Sequence, residues 1–141
     1  MALMVPAGWL FSEHLIALQS SDQVASAGVY TDQQATRGKA VSENLCLQCH
    51  GESLIGTEFG PPLVGKTFDD DFEGMTAGDL FDLIQTTMPQ SNPGTLSPAQ
   101  AADVIAYILQ GNDFRSGPTP LPSNLDGLKG IKIDAKRPTA R

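Results

Sequence analysis

Residues 46–50 read Cys46-Leu47-Gln48-Cys49-His50, and the rest of the chain is best read outward from this run. Two side chains three positions apart share one side of a helical turn. Both thiols can therefore reach the edge of one flat partner while the next residue, a histidine, turns beneath its centre. A neutral imidazole offers one nitrogen lone pair to a metal, and its other N–H needs an acceptor to hold the ring in place. This is the c-type haem attachment pattern, with two thioether bonds at the periphery and one axial bond to iron. The rival uses of such a pair fit less well. A dithiol redox motif calls for a preceding strand in a βαβ setting. Zinc calls for more ligands, and the chain has two cysteines in all.

The totals agree with a small haem-bearing body. A length of 141 residues suits one domain, and 40% hydrophobic against 18% charged residues is a globular balance. Aromatics at 6% leave a modest core, to which a large apolar cofactor would add interior. The net charge of -7 repels polyanions, so no nucleic acid is expected as a partner. Lys129, Lys132, Lys136, Arg137 and Arg141 face only Asp134 near the end, which suggests a basic, solvated and partly frayed tail.

Met1 to Leu18 is mainly apolar, and Ala25-Ser26-Ala27 has the small-x-small pattern of a signal peptidase site. No Lys or Arg precedes Arg37, however, and Glu13 and His14 interrupt the apolar run. The same interruptions, with Pro6 and Gly8, argue against a membrane-spanning helix, which needs about 20 nearly uncharged residues. The expectation is a signal peptide or disordered segment over 1–27, a haem-bearing domain over 28–116, and an extended basic tail over 117–141. His14 would be an exposed side chain outside the body.

Thr31 with Gln34 reads as a capping box opening a helix over about 32–46. From Gly51 to Gly74 no period is sustained, and a loop that wraps something is expected. Thr76 with Asp79 opens a second helix, which ends near Thr87 because Pro89 follows. Ser97-Pro98-Ala99-Gln100 opens a third. Its stripe of Ala101, Val104, Ile105, Ile108 and Leu109 should face a core, and Gly111 should end it. After Phe114 the proline-rich run favours extended geometry along the surface over a fourth helix. No strand alternation emerges, so the fold class is mostly α.

A closed electron-transfer centre needs a sixth iron ligand. Met1 and Met4 fall in the leader, leaving Met75 and Met88. Met75 precedes a helix cap and reads as packing. Met88 lies between a helix and a proline, from where a thioether can point into a crevice, and soft thioether ligation suits haem iron.

These features together resemble a class I c-type cytochrome: a helix, CLQCH, GPPLVG at 60–65, TMP at 87–89 and a last helix with AYIL. The resemblance covers about 31–114 and implies a cytochrome c fold, three main helices around one covalently bound haem, with an extended tail. It also implies that the Pro61 carbonyl accepts from His50, that Leu63 touches the haem face, that Met88 is the distal ligand, and that the first and last helices cross with Gly38 near Tyr107. In this family an aromatic residue usually sits where this chain has Ser42. A narrower likeness, carried by GVYTDQQATRG, by residues 76–114 and by LPSNLDGLKGIKI, is to the cytochromes that accompany or are fused to pyrroloquinoline quinone (PQQ)-dependent alcohol and sugar dehydrogenases. It implies a periplasmic or secreted electron carrier with no catalytic residues of its own. A PQQ-dependent dehydrogenase would be the donor, and an oxidase or another cytochrome the acceptor. The alternatives are a cytochrome subunit of a terminal oxidase, and a haem sensor or enzyme whose distal ligand leaves.

Overall fold

The computed structural model describes residues 23–134. Most of the expected leader, with His14, and residues 135–141 of the tail lie outside them. In chain order the elements are β1 (Gln23–Val24), α1 (Asp32–Leu45), α2 (Leu47–His50), α3 (Lys66–Phe72), α4 (Ala77–Thr87), α5 (Pro98–Gly111), α6 (Leu125–Lys129) and β2 (Ile131–Lys132), with 3-10 turns at Ala25–Ala27 and Glu52–Leu54. The fold is mostly α, and its three long helices are α1, α4 and α5.

The caps account for where these helices begin. Thr76 Oγ1 accepts from the Asp79 N–H while the Asp79 carboxylate accepts from the Thr76 N–H, which completes a reciprocal box. The Thr76 N–H, and after it the Thr76 hydroxyl, donate to the Asp79 carboxylate and hold it below its ordinary range. Ser97 and Gln100 form the second box, with Pro98 at the first helical position. At the start of α1 the expected box is only half made. Thr31 Oγ1 accepts from the Gln34 N–H, but the Gln34 amide turns inward and clamps Leu121, donating to its carbonyl at 3.1 Å and accepting from its N–H at 2.7 Å. Gln34 is buried, and a buried amide takes whichever partners satisfy both of its ends.

The centre of the body is the crossing of α1 and α5. A Cβ on Gly38 would lie 1.8 Å from the Asp103 carbonyl oxygen and 3.0 Å from Tyr107 Cβ, so only a residue without a side chain lets the two backbones meet there. Arg37 adds a two-pronged bond to Asp103 at 2.8 and 2.9 Å across the same contact. Besides the expected stripe, Ala102 and Ala106 of α5 are also buried. The helix is covered nearly all round, because later parts of the chain close over its other faces.

Those later parts differ from the sequence reading. The expected loop over 51–74 contains α3, whose Phe68 and Phe72 are one turn apart, buried, and 5.1 Å between ring centroids. One apolar pair in so short a helix leaves no sustained period to read. The tail is extended to Asn124 but then forms α6 and β2, and Leu121, Leu128, Ile131 and Ile133 are buried. Residues 129–134 are thus part of the body and not a frayed end. Each buried aliphatic side chain contributes about 1.5–3 kcal/mol, which holds the segment down.

α6 packs on α4, and β2 pairs in parallel with β1, Gln23 against Ile131 and Val24 against Lys132. Ser26 gives both its N–H and its hydroxyl to the Asp134 carboxylate. The body therefore includes residues 23–27, ahead of the boundary expected at Gly28. Ile133 also exchanges backbone bonds around the start of α4, with Met75 and Gly74. This strap braces the helix that leads to Met88.

Candidate functional site

The Cys46–His50 run is a short helical turn added to the end of α1. Cys46 N–H donates to the Ser42 carbonyl at 2.8 Å, continuing α1, and Cys46 is also where the helix breaks, its carbonyl accepting from Cys49 and His50. Gly51 then takes a left-handed φ of 79°, which turns the chain back beneath the histidine.

The next loop returns to the ring. Thr57 Oγ1 donates to the Cys49 carbonyl at 2.5 Å, and the Thr57 N–H donates to the Gly60 carbonyl at 2.9 Å. A Cβ on Gly60 would stand 2.9 Å from the Cys49 carbonyl oxygen and 3.2 Å from His50 Nδ1, so glycine is what allows the loop this close. The Pro61 carbonyl oxygen comes to 2.8 Å from His50 Nδ1. A carbonyl can only accept, so Nδ1 carries the proton and Nε2 keeps its lone pair for a metal. The imidazole is buried.

Leu63 is set by a second anchor. The Asn112 amide, buried at the end of α5, donates to the Leu63 carbonyl at 2.9 Å and accepts from the Gly65 N–H at 2.9 Å. The Leu63 N–H in turn donates to Leu54, a non-glycine residue at a φ of 63°. Strain of this kind persists where surrounding contacts over-determine the backbone.

These residues enclose a crevice with an empty volume of about 690 Å³, open mouth included. Cys46, Cys49, His50, Pro61, Leu63 and Met88 all line it. Met75 does not, and its side chain is exposed. The remaining wall comes from Leu54, Phe59, Ile84, Leu96, Val104 and Ile108 among others, and no lining side chain is charged. Spacing within the sequence could not show these, because they come from four separate segments. The one available signal was the α5 stripe, which contains Val104 and Ile108.

The donor set fits a haem. The walls are apolar, two thiols sit on one side, and the imidazole presents one free lone pair. Among the described residues no group of three or more His, Cys, Asp or Glu could hold a bare metal ion. Burial pushes the Cys46 thiol up, with the Cys49 charge adding to this and the neighbouring Ser42 hydroxyl opposing it. A raised thiol is the reverse of the low-pKa cysteine that a dithiol oxidoreductase needs.

A histidine oriented through Nδ1, two cysteines on one rim and crossed terminal helices define a cytochrome c domain. The model of the family described as cytochrome c oxidase, cbb3-type, subunit III matches residues 33–108, more than half of the chain, and the chain belongs to this family. Such a domain carries electrons on a covalently bound c-type haem. Among solved structures, the sulfane dehydrogenase SoxCD from Paracoccus pantotrophus is similar, with 25% identity over 62% of this chain and 53% of that one, and a TM-score of 0.45. The chain thus spans about half the length of that protein. No curated protein sequence matches the chain. Among the described residues no helix is long and apolar enough to cross a membrane.

Proposed function

We propose that this chain is a one-electron carrier in which His50 Nε2 and Met88 Sδ are the two axial ligands, and both stay bound in each oxidation state. The observation that carries the reading is the bond from His50 to the Pro61 carbonyl inside a crevice that Met88 also lines. The haem supplies an Fe(II)/Fe(III) couple. The protein fixes the imidazole through Pro61 and surrounds the crevice with uncharged walls that lower the local dielectric, and Met88 would supply a soft thioether to the bound haem. Each of these tunes potential, and none acts on a substrate.

The donor proposed from the narrower sequence likeness is a PQQ-dependent dehydrogenase, with an oxidase or second cytochrome as acceptor. The description of the matching family supports a second reading, a cytochrome subunit of a terminal oxidase. Adjacent genes separate the two: a quinoprotein dehydrogenase supports the first, oxidase subunits the second. Residence in the periplasm is proposed on the ground that this kind of haem attachment takes place outside the bacterial cytoplasm. Recovery of the haem-loaded protein in the cytoplasmic fraction would overturn that assignment.

Ligation is tested by Met88→Ala. The oxidised wild type should show the methionine-to-iron charge-transfer band and the reduced form should bind carbon monoxide slowly. The variant should lose the band and bind carbon monoxide quickly. An unchanged spectrum would remove Met88 from the coordination shell, and a five-coordinate wild type would favour a sensor or enzyme.

A further inference from the structure

Ser42 is fully buried, and its Oγ is a buried side-chain polar atom without a hydrogen bond. A hydroxyl inside a helix has an easy local escape, which is to donate to the carbonyl four residues back. Other helical side chains of this protein take it: Thr36 donates to Asp32, Thr86 to Asp82 and Thr87 to Leu83. Ser42 does not. It lines the crevice instead, one turn before Cys46, whose N–H bonds the Ser42 carbonyl at 2.8 Å. The two side chains therefore stand on the same helix face, with the Ser42 hydroxyl near enough to act on the Cys46 thiol but without a hydrogen bond of normal geometry.

An orphaned hydroxyl in an apolar wall is costly unless something satisfies it. The sulfur changes character when Cys46 is bonded to haem, because a thiol both donates and accepts whereas a thioether only accepts. The Ser42 hydroxyl, one turn away on the same face and lining the same crevice, is a donor placed to meet it.

We infer that Ser42 is a positioning residue for the Cys46 thioether, its O–H donating to Cys46 Sγ in the haem-loaded protein and so favouring Fe(II). This rests on the haem reading above. A donor on the sulfur withdraws electron density from the macrocycle edge, and the more electron-rich oxidation state benefits. The role belongs to the hydroxyl and not to side-chain volume, which makes it separable from packing.

The experiment is a redox titration of the holoprotein and its S42A and S42T variants, with resonance Raman spectra of the thioether C–S stretch in H2O and D2O. In S42A the Fe(II)/Fe(III) ratio at fixed solution potential should fall about two- to fivefold. At about 59 mV per tenfold for a one-electron couple, this is roughly 20 to 40 mV. S42T keeps the hydroxyl and should restore most of the shift. The C–S band should move on transfer to D2O in wild type and not in S42A. Equal potentials for wild type and S42A, or a shift that S42T does not restore, would overturn the inference. A pyridine haemochrome spectrum keeps the two readings apart. Two thioether bonds in wild type and S42A leave the haem assignment standing whatever the potentials do, whereas a wild type without covalent haem overturns both.

Discussion

Replacing Gly38 with alanine sets helix propensity against the crossing of α1 and α5. On an isolated helix the change would stabilise by about 1 kcal/mol, because glycine is the poorer helix former. Here the new Cβ would lie 1.8 Å from the Asp103 carbonyl oxygen and 2.4 Å from its carbon. The obstacle is backbone, which cannot swing aside as a flexible side chain can. To bring the closest contact to a tolerable 3.0 Å, the helices must part by roughly 1.2 Å at this point.

Overpacking of a well-filled core typically costs 1–3 kcal/mol, and a clash with main chain falls at or beyond the upper end of about 3. Parting the helices also loosens Val104 and Ile108 against Ser42 and Cys46, all of which line the crevice. After the propensity gain, G38A should be destabilised by about 2–4 kcal/mol, or about 10 °C in Tm for a domain of this size. The assay is urea and thermal unfolding of the holoprotein, followed by circular dichroism and Soret absorbance, with the exposed Ala40→Gly as control. A40G should lose about 1 kcal/mol from propensity alone. Equal or greater stability of G38A relative to wild type would refute the close-contact argument.

Asn112→Ala should cost about 1–3 kcal/mol, because it leaves the partly buried Leu63 carbonyl and the Gly65 N–H without their partner. Hydrogen exchange at Gly65 should accelerate before that of α5, and wild-type protection there would contradict the anchoring role. Tyr30 donates to the Phe114 carbonyl, and its phenol is pushed up to about 12 by burial, with the Asp32 charge adding to it. A raised folded-state pKa means the associated stability is present below the unfolded value of about 10 and is lost as pH rises through the folded one. Wild-type stability should therefore fall between pH 10 and about 12, while Tyr30→Phe should be weaker at neutral pH and lack that phase. An identical alkaline limb in both proteins would assign it to other groups.

Much of this protein follows from neighbours in the chain. The Cys46–His50 run determines haem attachment because its geometry is contained in one helical turn, and the caps at Thr76 and Ser97 are bonds between residues three apart. The stripe on α5 follows from helical periodicity in the same way. The crevice itself was legible only in outline. Cys46, Cys49 and His50 came from their own spacing, Met88 from its place between a helix and a proline, and Pro61 and Leu63 from resemblance.

Other features depend on which segments meet. Gln34 could have completed a local box, but α1 lies where the returning chain presents Leu121, and two bonds to that backbone outcompete the single local one. Leu121, Leu128, Ile131 and Ile133 read as a proline-rich and basic tail, yet they close the core because the other faces of α4 and α5 need covering. The Ser42 hydroxyl shows the division most plainly. Its place one turn before Cys46 is written in the sequence, whereas its burial and lack of a partner arise only when α5 and the crevice wall fold against it. Bonds between near neighbours form wherever the local backbone allows them, while desolvation depends on every segment that arrives to exclude water.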